Sequence, residues 1–458
     1  MPSPEDQLLK LDHKLQAQQL PLRILDQYYS GEQPLKYMAP ALEAEFGGRV
    51  TQLVINWPEM VADAYEARLD VTGFRLAGGD GEAAEDAWDV WTDNDMDEQA
   101  PLATLESIAL GRSYAIVGTD DDGAPIITVE HPTQCITEAD PRTRRQTSGL
   151  KRWKNDEGVH WGTLYLPDET RYFYRAREWK EDTGLRDQHG LGVLPVEVLR
   201  NRGRMMRDLG RSEFASILPV ADAANKIATD MMISAEFHGM PRRWIFGMSE
   251  KDFVDEHGNP LTTWQQIAGR LWATDKHPDE VKAGQFPESD LQVFHGTIRV
   301  LAQLAAQLAA LPPHYMSFTT ENPASADAIR SSEAQLVKRA ERKQTALGAS
   351  WRRVMALALR IRDGLDEAPR LETIWRDAST PTVAQSADAA VKRFQAGIST
   401  LRQTREDCGY TPGQIRRMQA EDEEAAARDP LGQIARDLST PVAAEPQQEP
   451  ELIGAGSA

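Results

Sequence analysis

Cysteine is almost absent from this chain: Cys135 and Cys408 are the only two in 458 residues. Two thiols so far apart build no disulfide framework, so the sequence predicts synthesis in a reducing, cytosolic compartment rather than secretion. Long apolar runs are lacking as well. The start, MPSPEDQLLKLDHK, has no apolar stretch behind a basic segment, and the longest apolar region, Val300 to Leu311, is broken by Gln303 and Gln307. Neither a signal peptide nor a membrane span is expected. Positive net charge is missing too, since 51 Lys+Arg face 71 Asp+Glu and leave a formal −20. A domain that grips nucleic acid carries a basic footprint, because phosphate neutralisation supplies most of its affinity, so a conventional DNA-binding domain is disfavoured. What remains is ordinary globular composition, 41% hydrophobic and 27% charged, in a length that suits about two to four domains.

Recognisable catalytic motifs are also wanting. No GxxxxGK[ST] loop occurs, so the backbone cradle and lysine that hold nucleotide phosphates are missing, which disfavours a packaging ATPase. No GxSxG elbow or HExxH pair is present, and the nine histidines never recur four apart, so no catalytic, cofactor or metal residues are assigned. His131 and Cys135 are four apart, but Pro132 follows the histidine and no second pair exists, which favours a structural role. Asp93-Asn94-Asp95-Met96-Asp97-Glu98 begins like a calcium loop, yet Glu98 replaces the required glycine and Thr104 the closing glutamate. Asp120 to Gly123 reads as a hairpin turn.

Charge is present but segregated. From Leu76 to Gly111 there are ten acidic residues and no Lys or Arg, whereas from 326 to 363 nine basic residues face four acids. On that basic helix the pairs Lys338/Arg342 and Arg339/Lys343 either line a DNA path or form a solvated, salt-bridged face, and composition favours the second. Periodicity predicts helices over Glu5 to Tyr29, over Leu53 to Arg68 with an early interruption at Pro58, over Glu82 to Trp91 and over Ala100 to Leu110. Strands are expected at Ser113 to Gly118, Ala124 to Val129, Gly149 to Trp153, His160 to Leu166, Thr170 to Arg175 and Val196 to Leu199, a β-rich module. Ser212 is expected to cap a helical turn, and a helix runs from Pro219 to His238. In the next segment PRRWIFG reads as a strand, EHGNP as a turn and Thr263 to Leu271 as a short helix. From Ser289 a helix follows with Ile298, Leu301, Leu304, Ala305, Leu308 and Leu311 on one stripe, stopped by Pro312-Pro313. Ser325 is the expected N-cap of the basic helix, LETIW a strand, and Thr382 to Glu424 two or three helices before an acidic, disordered tail. The fold class is α+β, a multi-part protein in which assembly outweighs catalysis.

Seven blocks occur in an order that resembles the portal proteins of tailed bacteriophages, of the long-tailed siphophage type. They include LDQYYSGEQPL (25–35), INWPEMVADAYEARLDVTGF (55–74), WTDNDMDEQAPLATLESIALGRSYAIVG (91–118), the GRSEFASILPVADAANK segment with MPRRWIFG, and FPESDL. LPPHYMSFTTENPASADAIRSSEAQLVKRAERKQ and IWRDASTPTVAQSADAAVKRFQAGIST complete the series. The resemblance covers most of the chain. It implies a ring subunit with a wing at 1–211, stem helices at 212–239 and 289–311, and a small α/β clip at 240–288. A tunnel loop at 312–325, the long channel-side helix at 326–363, a return strand to the wing at 364–380, a helical crown at 381–430 and the tail at 431–458 complete it.

The same resemblance implies a dodecamer at one capsid vertex, through which double-stranded DNA passes without sequence specificity during packaging and ejection. Implied partners are further copies of the chain, the terminase large subunit, major capsid and scaffolding proteins, and a head-completion or adaptor protein, with no membrane and no cofactor. The implied location is the virion, with the host cytoplasm during assembly. Expected channel residues are Pro312, Pro313, His314, Tyr315, Ser317, Thr319, Thr320 and Asn322. Expected clip contacts are Arg242, Arg243, Trp244, Trp264 and Arg270, and the basic face of the long helix comprises Arg330, Lys338, Arg339, Arg342 and Lys343. Competing readings are a DNA-packaging enzyme, either motor or nuclease, and an assembly adaptor that forms no channel.

Overall fold

The first helix, α1 (Pro4–Tyr29), starts where Ser3 adopts an extended conformation and its hydroxyl accepts the amide of Asp6 at 3.1 Å. The fold is known from a computed structural model that describes residues 3–36, 52–76, 85–205, 209–239, 243–247, 277, 282–285, 290–316, 326–379 and 383–428. Pro21 lies inside α1 and cannot donate to the preceding turn. The halves on either side of it serve different cores: Leu8, Leu11 and Leu15 pack on one sheet, Leu22 and Tyr28 in the main core. Helix α2 (Trp57–Glu66) begins later than its periodicity predicts. Pro58 sits in its first turn, where a missing amide costs nothing, so the proline starts the helix instead of interrupting it.

Strand β1 (Val71–Leu76), α3 (Glu85–Asp93) and α4 (Met96–Leu110) follow. The calcium-like run is the junction of α3 and α4: Asp95 adopts a left-handed conformation at φ 52° and Asp97 accepts the indole N–H of Trp91 at 3.0 Å. Strands β2 (Arg112–Thr119) and β3 (Pro125–Glu130) form the expected hairpin, with the Asp120 carboxylate accepting the amides of Asp122 and Ala124. Five antiparallel strands then make a meander: β4 (Cys135–Ala139), β5 (Gln146–Lys154), β6 (His160–Tyr165), β7 (Thr170–Arg175) and β8 (Trp179–Glu181). Strand β9 (Val196–Arg200) returns to pair with β2, giving a separate sheet of order β3-β2-β9. Residues 112–117 of β2 are buried without alternation because the strand is central in its sheet and both its faces are covered.

Helix α5 (Leu218–Gly239), the antiparallel pair β10 (Arg243–Phe246) and β11 (Lys282–Gln285), and α6 (Gln292–Ala309) come next. They lead to α7 (Ala326–Asp363), 38 residues and about 57 Å at 1.5 Å per residue. Strand β12 (Leu371–Trp375) pairs antiparallel with β1 across roughly three hundred residues of sequence. Helices α8 (Val383–Gln395), α9 (Leu401–Asp407) and α10 (Pro412–Arg428) close the described chain.

One large core joins α2, α3, α4, the small sheet, α5, α6 and α7. At its centre Trp91 meets Phe74 and Trp351, each with ring centroids 5.4 Å apart, and stacks on Trp88 at 6.0 Å. The face of the five-stranded sheet that α1 covers makes a second core from Ile136, Leu150, Leu164 and Phe173. Cys135 is buried in a third cluster between the sheets, and burial pushes its thiol far up, so it is an inert core residue. His131 sits above it, with Nδ1 2.6 Å from the Thr133 hydroxyl and Nε2 3.3 Å from Glu106.

Candidate functional site

Two features of the backbone bring an acid into the interior. Gly111 ends α4 at φ 93°, and a Cβ there would lie 2.9 Å from the amide nitrogen of Arg211. At Gly210, φ 71°, a Cβ would fall only 2.1 Å from the carbonyl oxygen of Gly111. Only residues without a side chain allow this crossing. It is closed by Asn201 donating to Gly111 at 2.9 Å and Arg211 donating to Asn201 at 2.9 Å. The crossing sets Glu213, at the start of a short 3-10 turn over Glu213–Ser216, fully out of solvent. Ser212 precedes that turn as expected but makes no capping bond with its hydroxyl.

Glu213 meets cations from two directions. Lys343 of α7 donates to one carboxylate oxygen and to Asn201, while the Arg202 guanidinium lies 3.0 Å and that of Arg339 3.8 Å from the other. Asn201 donates to Glu213 at 3.2 Å, and the Lys343 ammonium stands 4.9 Å from the ring centre of Tyr65. Burial alone raises a carboxyl, but Lys343 and Arg202 beside it hold Glu213 below the usual range. Burial also pushes the Lys343 ammonium down, with the two arginines adding to the fall. Both directions are consistent, because one anion is shared among three cations. The cluster reaches α6 through the carbonyl of Ala309, which accepts from Tyr65 at 2.7 Å and from Arg339 at 3.0 Å. One network therefore fastens α2, the crossing at 201–213, the end of α6 and the middle of α7.

A second knot lies where α6 gives way to the segment after it. Pro312 is buried, a 3-10 turn spans Pro313–Tyr315, and His314 is exposed. The hydroxyl of Tyr315 accepts from Arg68 at 3.0 Å and donates to Glu333 at 3.3 Å. Arg68 also reaches Glu333 at 3.3 Å and the carbonyl of Ala378 at 2.9 Å. Tyr315, expected to project, is instead the anchor of this segment, because an amphipathic phenol satisfies a nearly buried Arg–Glu pair.

The pair α5 and α6, about 33 Å and 27 Å long, carries a correction. The stripe expected on α6 divides on folding: Ala305 and Leu311 are buried and Leu301 packs on the core, whereas Leu304 and Leu308 do not. Ala302, Ala305, Ala306 and Ala309 pack inward in one core with Ala221 and Ala224 of α5, while Val293 (66%), Val300 (63%), Leu304 (43%) and Leu308 (39%) are exposed. Alanine on both sides lets the helix backbones approach closely, and the larger residues are left outside. The polar side of α5 is held by Asp222, which accepts from Tyr28 at 2.7 Å and from Lys36 at 2.9 Å. Asn225 and Thr229 accept the amides of Ile55 and Leu53.

The other expected residues divide. Lys343 and Arg339 belong to the Glu213 cluster, so the solvated basic face excludes Lys343, while Lys338 is exposed beside Glu341 at 2.8 Å and Arg342 and Arg330 are exposed. Arg243 and Trp244 lie on β10, opposite Gln285 and Gly284. Arg242, Trp264, Arg270, Ser317, Thr319, Thr320, Asn322, Ser325, the EHGNP turn, the helix at 263–271 and the tail at 431–458 lie outside the described residues. Glu213, Asn201, Arg202, Arg68 and Glu333 were not singled out from the sequence. The only sequence signal for Glu213 is the glycine before it, Gly210, with a second glycine at a distant helix end.

The sequence profile of the family described as "Phage portal protein, SPP1 Gp6-like" matches residues 9–428. The portal protein of Mycobacterium phage D29 is 36% identical over 390 residues, covering 81% of this chain and 79% of that protein. The portal protein of Mycobacterium phage L5 matches with the same identity and coverage. Among solved structures, a chain from the neck of a native GTA particle, computed with C12 symmetry, overlays on 82% of this chain and 95% of its own at TM-score 0.43 and 14% identity. A chain from the neck of an empty GTA particle, computed with C6 symmetry, does so over 77% and 89% at TM-score 0.45 and 14% identity.

Proposed function

Because the chain belongs to the SPP1 Gp6-like family of phage portal proteins, and so is a structural component of the bacteriophage virion at the head–tail junction, we propose that twelve copies close into a ring. Its bore carries double-stranded DNA into the capsid during packaging and out during ejection. The single observation that carries the reading, beyond the family, is the close-packed alanine pair α5/α6 with its valine and leucine stripe left outside, a helix pair built to pack sideways in an array. The net charge fits a conduit: ion-pair contacts with phosphate give strong sequence-independent affinity, and a protein at −20 lets DNA slide where a basic one would hold it.

In this reading 1–211 is the wing that meets major capsid and scaffolding proteins, and α5 and α6 are the stem. The segment 240–288 is the clip that docks the terminase large subunit and later the head-completion adaptor. The loop after Tyr315 borders the bore, with α7 beside it and α8 to α10 forming the crown. Negative-stain electron microscopy of the purified chain tests the ring: particles with a central hole are expected, and monomers persisting at every concentration would sink the reading. Replacing Arg242, Arg243 or Trp264 is expected to lower motor contact and packaging while rings persist. Shortening 314–322 is expected to impair packaging or DNA retention, and normal filling refutes its place at the bore.

A further inference from the structure

The charge segregation of this chain survives folding at two surfaces that do not meet within one protomer. The first is a groove of about 390 Å³ between α7 and the segment leading into β12, lined by Arg352, Arg353, Ala356, Ala368, Pro369, Arg370, Leu371 and Glu372. Ala356 and Leu371 form a buried floor, and Arg352 and Arg370 stand exposed on the rim. Arg353 is already held by Glu197, but among the described residues Arg352 and Arg370 have no carboxylate within ion-pair distance. The second surface is the turn joining α3 to α4. Asp93, Asp95, Asp97 and Glu98 are exposed there, and among the described residues no cation pairs with them. The turn is held rigidly: Asn94 donates to Val90 at 2.9 Å and to Pro125 at 3.1 Å, and accepts the amide of Ile127 at 2.7 Å. Trp91 fixes Asp97. An acidic knuckle of set shape and an arginine-rimmed groove of set shape are thus offered by different parts of the same chain.

We infer that the arginine groove of one subunit receives the α3–α4 knuckle of the next copy, as a heterologous contact of the ring; the inference rests on the ring reading above. A closed ring requires each subunit to present two different, complementary surfaces, and opposite charge on preshaped partners selects the register of such a contact and speeds its formation. A short acidic turn suits this groove better than a DNA backbone does. The one other cation lining the groove, Arg353, is neutralised within the protomer by Glu197.

The test uses the full chain with two charge-reversed forms, Arg352→Glu/Arg370→Glu and Asp93→Lys/Glu98→Lys, four exposed positions whose side chains make no hydrogen bond or ion pair among the described residues. Each form is expected to melt like the parent but to yield at least tenfold fewer rings by negative-stain microscopy and native mass spectrometry. Mixed one to one, the two forms are expected to restore rings with alternating subunits, since the unaltered groove then faces the unaltered acidic knuckle and the reversed groove faces the lysines placed at 93 and 98. Full ring yield from either form alone overturns the inference, as does a mixture of two folded forms that fails to assemble. Rings that persist in the groove form but lose retained DNA assign the arginines to nucleic acid instead and overturn it too. Absence of rings from the unaltered chain is a separate outcome, which removes the ring reading itself.

Discussion

The two halves of α7 are held by different physics. Its first half, up to Lys343, is anchored by charge: Glu333 with Arg68 and Tyr315, then Arg339 and Lys343 with Glu213. Its second half is anchored by volume, with Leu347, Trp351, Val354, Met355, Ala358 and Leu359 all buried. A buried ion pair gains little over a well-packed apolar contact, yet losing one partner is costly because the other charge stays behind without water. An apolar core instead loses in proportion to the cavity opened. The charge-anchored half is therefore vulnerable to pH and single charge changes, and the apolar half to truncation.

The largest expected effect breaks the apolar half. Trp351→Ala should cost about 4 kcal/mol, from a fully buried indole packed against Trp91, measured by urea unfolding. Trp351→Phe should cost far less than the alanine, since among the described residues the indole N–H has no partner to lose; equal losses would mean that volume does not govern this half. Next, Glu213→Gln should cost about 3 kcal/mol, because three cations then share no anion. Lys343→Met should cost less, because Arg202 and Arg339 still face the carboxylate.

A smaller effect appears in the pH profile. Glu213 is held below its unfolded value, so the unfolded chain binds its proton more readily and the contribution is complete above about pH 4.5. It is lost as pH falls through the lower folded value. The Glu213→Gln variant should lack this acid-side loss, and removal of Lys343 should move the loss to higher pH; identical profiles would show that the cluster does not govern acid stability. The smallest change is Tyr315→Phe, which deletes the hydroxyl between Arg68 and Glu333 and should cost about 1 kcal/mol. Hydrogen exchange just after residue 315 should rise with it.

Most helices were legible because their apolar residues recur at helical spacing and their ends carry Ser, Pro or Gly. Strand β4 was missed because CITEA sets Cys135 and Thr137 on one face and Ile136 and Glu138 on the other, so neither face reads as apolar before the strand pairs with β5. Strands β1 and β11 were missed for the same reason, since each is defined by a partner that periodicity cannot see. The apolar stripe of α6 was legible only in part. Periodicity placed Leu304 and Leu308 on one stripe with Ala305 and Leu311, whereas packing against the alanines of α5 buries the small residues and leaves these two leucines outside.

By itself the sequence determined the family, the order of the segments and the separation of acidic from basic stretches, because these are properties of residue order and local periodicity. Only the tertiary structure decided which charges remain for partners. Burial is a property of the assembled chain: the crossing at Gly111 and Gly210 buries Glu213 beneath α7, and that one carboxylate draws Lys343 and Arg339 inward. Arg352 and Arg370, on the same helix and its return segment, are left facing out.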